Sequence, residues 1–131
     1  VRMDKQKLID FRRQAQELQQ LEDGLVEMRA RAEALYSPII SDMPKGTPPE
    51  ERNAIVELVA LQDEYTDLIR DNATEQLEIE RAIAAIDDPT LRSVIRLRYI
   101  KGLQWRDIAT AVGCSEATVY RLHRSAMDYF E

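Results

Sequence analysis

The chain has 131 residues, of which 32% are charged and 6% aromatic, with a formal net charge of −6. That length allows one or two small domains with a modest core, and the composition suits long solvated helices better than a thick globular interior. No apolar run approaches the ~20 residues of a membrane span, the start Val1-Arg2-Met3-Asp4-Lys5 lacks a signal-peptide pattern, and one cysteine with one histidine supplies neither an internal disulfide nor a structural zinc site. Leu8, Phe11, Ala15, Leu18, Leu21, Leu25, Met28, Ala32 and Leu35 recur at helical spacing and predict a helix over about 4–36. Gly24 costs this helix about 1 kcal/mol relative to alanine, and Asp23-Gly24 is where it would break if it does. Pro38 is expected to end it, because the residue before a proline avoids the helical region. Residues 37–47, with Pro38, Pro44 and Gly46, read as a loop, and Thr47-Pro48-Pro49-Glu50 reads as a capping box with proline in the first turn.

A second helix is predicted over about 48–87, with Ile55, Leu58, Gln62, Tyr65, Ile69, Asn72, Gln76, Ile79, Ile83 and Ile86 on one seam. At 1.5 Å per residue the two helices would be roughly 50 and 60 Å long. Neither is stable alone with an exposed apolar stripe, so an antiparallel helical hairpin over 1–87 is the simplest arrangement. Asn72 and Gln76 interrupt the seam. They either fix register or partner number or mark where the seam rotates outward. Leu61, Leu68 and Leu77 widen the apolar face beyond what one partner helix covers. With Asn72 and Gln76 they are the residues expected to mediate a homodimer through the hairpin, the alternative being that they contact the C-terminal part.

Asp87-Asp88-Pro89-Thr90 marks a boundary, with Asp88 as cap and Pro89 in the first turn of a helix running from Thr90 to Lys101 and ending at Gly102. Next, Ile108, Ala109 and Val112 stripe a short helix. Gly113 supplies a tight left-handed turn, Ser115 caps the next helix, and Val119, Leu122 and Ala126 turn one face of that helix inward. Residues 88–131 therefore read as a three-helix unit ending in a helix-turn-helix, and the whole as all-α. The outward residues of the last helix are Glu116, Ala117, Tyr120, Arg121 and Arg124, the face that enters the DNA major groove in such motifs. Residues 90–131 carry 7 Lys+Arg against 4 Asp+Glu, and residues 1–89 carry 11 against 20. A basic head and an acidic arm suit a polyanion partner for the head alone.

The words Leu97-Arg98-Tyr99, Gly102, Asp107-Ile108-Ala109, Gly113-Cys114-Ser115, Thr118-Val119 and Ser125-Ala126-Met127 resemble region four of bacterial sigma factors. With the long helical front half, Val119-Tyr120-Arg121-Leu122-His123 also looks like small phage-encoded proteins, including the ArpU-like late transcription regulators. The first resemblance covers about a third of the chain. It implies duplex DNA as partner, with major-groove readers at Glu116, Ala117 and Arg121, and it allows contact with RNA polymerase. Arg121 suits guanine O6 and N7, Glu116 a cytosine amine, and Ala117 a thymine methyl. The sigma pattern favours arginine where Glu116 stands, a departure that points away from the usual promoter element. Tyr120 joins the base-reading face, and Arg106, Ser115, Thr118 and Arg124 are the expected phosphate contacts. Gln104 stands where serine or threonine usually caps. Trp105 either packs on the third helix or stacks on a sugar-phosphate edge, and His123 reads as a structural histidine.

There is no glycine-rich phosphate loop, no nucleophile–base pair and no metal-ligand cluster, so neither an enzyme nor a cofactor or membrane partner is expected. A lone cysteine fits a reducing cytoplasm, which the phage resemblance places in a bacterial host. Two other readings stay open: a small terminase-type packaging subunit, marked by ring assembly, and a helical protein-interaction module that does not bind DNA.

Overall fold

The computed structural model describes residues 2–41 and 49–131. It is all-α, with no strand among the described residues. The elements are α1 (Lys5–Ser41), α2 (Pro49–Ala84), α3 (Pro89–Ile95) continuing into a π-helical turn (Arg96–Ile100), α4 (Trp105–Val112) and α5 (Glu116–Met127). No helix of the described residues is long and apolar enough to cross a membrane.

Asp4 starts α1, its Oδ1 accepting from Gln6 N at 2.8 Å. The helix runs unbroken through Asp23-Gly24. It also passes the expected stop at Tyr36 and carries Pro38 inside it as far as Ser41. A proline removes one N–H from the helical ladder and crowds one carbonyl, a local cost that does not terminate every helix. The expected loop over 37–47 is thus helical to Ser41, and its remainder lies outside the described residues, as do Thr47 and Pro48 of the capping box. At its far end α2 stops at Ala84, short of the expected Asp87. Ala85 and Ile86 instead close tight turns onto Ala82 O and Ile83 O, which lets Ile86 bury completely.

Two compact units divide the chain: residues 1–16 with 71–131, and residues 17–70. In the first, α1 begins beside the end of α2, with Lys7 Nζ 3.4 Å from Glu78 Oε2. Leu8 and Phe11 of α1 meet Ile79, Ile83 and Ile86 of α2, and the same core takes in Leu91, Ile95, Tyr99, Ala126 and Phe130. The segments at either end of the described chain are tied by backbone bonds, Lys5 N to Glu131 O at 2.8 Å and Glu131 N to Met3 O at 2.9 Å. A second core, of Val94, Ile108, Ala109 and Val119, sits among α3, α4 and α5.

In residues 17–70, Glu22, Leu25 and Arg29 of α1 line one space with Gln62 and Tyr65 of α2, and burial, then the Glu22 charge, raises the Tyr65 phenol. This unit buries less. Leu25 is 8% exposed, whereas Val26, Val56 and Val59 are half or more exposed. The residues expected to mediate a dimer divide by exposure: Leu68 and Leu77 lie open, while Leu61, Asn72 and Gln76 are half-buried, Asn72 with a buried, unpartnered Nδ2.

Short-range chemistry fixes the junction before α3. Asp88 Oδ1 accepts from Thr90 N at 2.7 Å and Leu91 N at 3.4 Å. Arg92 Nη1 donates to Ile86 O and Asp87 O, at 2.7 and 3.1 Å. Losing such a cap typically costs about 1 kcal/mol. Asp88→Ala is therefore expected to lower the unfolding free energy measured in urea by that amount while Asp88→Asn nearly keeps it; equal stability in all three proteins would show that the cap is idle.

The predicted helix 90–101 differs in its second half, where the ladder widens. Lys101 N donates to Arg96 O at 3.0 Å, five residues back. Gly102 follows at φ 72, and Leu103 N returns to Leu97 O at 3.0 Å. The wide turn also places Arg96 against Glu80, Nη2 to Oε2 at 3.1 Å.

Candidate nucleic-acid interface

The turn between α4 and α5 follows from two residues. Gly113 adopts φ 81 and ψ 37, the left-handed conformation, and its N–H closes on Ala109 O. Ser115 is the N-cap of α5, its Oγ accepting from Thr118 N at 3.2 Å. Gln104, by contrast, makes no side-chain cap for α4. Ile108, Ala109, Val119 and Ala126 are buried, so α4 and α5 cross closely at small or branched residues. The opposite face of α5 is left open. Glu116, Ala117, Tyr120, Arg121 and Arg124 are all exposed, and Arg106 is exposed on α4.

Some of these residues are linked and others stand alone. Arg121 Nη2 donates to Thr118 Oγ1 at 3.2 Å, and Thr118 and Ser115 share a hydroxyl contact at 3.0 Å. Arg121, Thr118 and Ser115 thus form one chain along the first turns of α5. The Ser115 hydroxyl is engaged in capping and Thr118 is half-buried, so Arg121 is the member best placed to reach outward. Glu116 lies in the first turn and Arg124 in the last, where their charges complement the helix dipole as well as facing solvent. Arg106, Ala117 and Arg124 are not joined to that chain.

Trp105 packs. Its ring lies 5.1 Å from that of Tyr120 and 4.7 Å, edge-on, from that of His123. Arg98, from the π-helical turn, stacks over its face at 4.2 Å and donates to Leu103 O at 3.1 Å. Tyr120 therefore leans on Trp105 while remaining 44% exposed. The residues that sequence reasoning missed are Arg98 and Tyr99. Their signal is weak, a basic–aromatic pair inside Leu97-Arg98-Tyr99, which the sequence offers only as part of the sigma-region-four resemblance.

His123 Nε2 lies 2.7 Å from the Tyr99 hydroxyl. Burial, and secondarily the Arg98 charge, pushes the imidazole down from 6.5 to about 4. Burial likewise raises the Tyr99 phenol. The folded His123 resists a proton that the unfolded chain accepts. Stability is thus complete above 6.5 and is lost as pH falls toward about 4. Allowing for solvent screening at a partly exposed ring, the loss is about 1–2 kcal/mol. It is measured as the stability difference between the wild type and His123→Asn, which should shrink by that amount across the window. A difference independent of pH would contradict the assignment.

Among the described residues no group of three or more His, Cys, Asp or Glu stands where it could hold a metal ion. A family model described as protein of unknown function (DUF1492) matches residues 34–131. No match was found among curated proteins or solved structures.

Proposed function

The chain belongs to the family described as protein of unknown function (DUF1492), and we propose that it is a sequence-specific binder of double-stranded DNA, a transcription regulator of the phage type. The observation that carries this reading is the open face of α5. A capped helix is held from behind by Val119 and Ala126 and presents Glu116, Ala117, Tyr120 and Arg121 to solvent. Side chains on the N-terminal turns of such a helix are spaced to meet successive base edges in a major groove. Arg106 and Arg124 flank that face as phosphate contacts. Ser115 contributes by capping the start of α5, and Thr118 by holding Arg121 through its hydroxyl. The likeness of residues 90–130 to sigma region four supports the same docking mode and allows contact with RNA polymerase, in a bacterial cytoplasm.

The reading includes a two-copy protein, supported by the exposure of Leu68 in one unit and Leu77 in the other, with heads spaced to match two half-sites. Selection from random-sequence duplexes, followed by sequencing of the retained DNA, tests the function. A recurrent motif is expected, with binding that weakens as salt rises. Retention without any motif would remove sequence specificity, and no retention at low salt would remove DNA binding. Light scattering on the same sample checks the copy number: two supports the dimer, and a ring of eight or more would favour DNA packaging.

A further inference from the structure

We propose that a groove between the first turns of α1 and the π-helical turn binds a phosphate group. The groove measures about 310 Å³ and is lined by Ile9, Arg12, Arg13, Gln16, Arg98 and Tyr99. Three guanidiniums share this space, and none of them forms an ion pair among the described residues. Arg12 Nε is buried and has no hydrogen-bond partner. Arg98 has spent one donor on Leu103 O and one face on Trp105. Its pKa is lowered, first by burial and then by the neighbouring Arg12 charge.

Such an arrangement is unfavourable by itself. Like charges repel, and a buried guanidinium donor without an acceptor bears an uncompensated desolvation cost. A ligand that brings negative charge and several acceptor oxygens removes the first penalty and offsets the second through the terminal nitrogens of the same Arg12 guanidinium. Phosphate does so better than a carboxylate, since its oxygens suit more than one planar guanidinium fork. Gln16 adds an amide donor, while Ile9 walls one side of the groove. The groove holds more than one phosphate group by volume, leaving room for whatever the phosphate is attached to.

The phosphate has two sources, the backbone of a bound duplex or a free phosphorylated small molecule. The groove therefore stands or falls apart from the duplex reading. The test uses the full chain, with Arg12→Gln, Arg13→Gln and Arg12→Lys, each checked for fold by circular dichroism. One probe is a fluorescein-labelled random duplex followed by anisotropy over a salt series; the other is sodium pyrophosphate followed by thermal unfolding. For a backbone phosphate, each glutamine variant loses about 3- to 10-fold in duplex affinity, and the slope of log affinity against log salt falls by about 1; Arg12→Lys keeps the slope. For a free ligand, pyrophosphate protects the wild type saturably and fails to protect Arg12→Gln. If Arg12→Gln does not fold, Arg13→Gln decides both arms. Wild-type duplex affinity and slope in the folded variants, together with no pyrophosphate protection of the wild type, would overturn the proposal. If the wild type binds no duplex at all, the pyrophosphate arm alone decides: saturable protection upholds the groove, and its absence removes it.

Discussion

Phe11→Ala is expected to cost about 3–5 kcal/mol, the range for emptying a large aromatic site in a packed interior. Whole-domain stabilities run to about 5–15 kcal/mol, so this one change removes a large share. Phe11 is 1% exposed and lies in one core with Ile79, Ile83, Ile95, Tyr99, Ala126 and Phe130. The substitution would thus loosen the support of α5 as well as the pairing of α1 with α2. Urea unfolding followed by circular dichroism measures the loss, with Leu21→Ala as the contrast. Leu21 is 39% exposed and should change stability by about 1 kcal/mol or less. A cost for Phe11→Ala near that of Leu21→Ala would mean that α1 does not share the interior of the C-terminal helices.

Arg121→Ala carries the second large effect, this time on binding. A guanidinium that grips a guanine through two bonds contributes about 1–3 kcal/mol of discrimination. The loss should therefore fall on one base position of the selected motif, with the preference elsewhere retained. Stability should hardly move, because Arg121 is exposed and its recorded hydrogen bond is to Thr118 within the same helix. A uniform loss over all sequences, with a reduced salt slope, would make Arg121 a phosphate contact instead and leave base reading to its neighbours. An unchanged affinity would remove it from the interface.

What could be read from the chain beforehand was local in origin. Gly113, Ser115 and Asp88 announce a turn and two caps because each acts on backbone atoms within a few residues. The burial of Ile108, Val119 and Ala126 follows from helical spacing in the same way. Pro38 does not mark the end of α1, because a proline is a local penalty weighed against the rest of a long helix. The π-helical turn was hidden because apolar spacing over Leu91, Val94 and Leu97 fits a regular helix equally well. Partners across the fold were the least legible. Leu8 and Phe11 read as hairpin seam, and nothing in their spacing ties them to Tyr99 or Phe130.

Charge shows the same effect. By position alone Arg12 and Arg13 fall in the acidic stretch 1–89, whereas they belong to the compact unit that holds α5. That unit carries 13 Lys+Arg and 12 Asp+Glu, and residues 17–70 carry 5 and 12. The groove they line with Arg98 therefore has no counterpart in the linear sequence, since Arg98 comes from a segment far from Arg12 and Arg13.

The wide turn at Arg96–Ile100 bears on how the chain tolerates changes in length. A π-helical turn holds one residue more than a regular helical turn would in the same place. Removing a single residue there would let the ladder heal into ordinary α-helix, whereas the same deletion in mid-α5 would swing its outward side chains away from one another. The healed helix would nevertheless carry Arg98 and Tyr99 round by about 100°. Such a protein is expected to fold and yet to lose the stacking of Arg98 on Trp105, so the surplus residue is a setting for where these two side chains stand rather than a requirement for the helix itself.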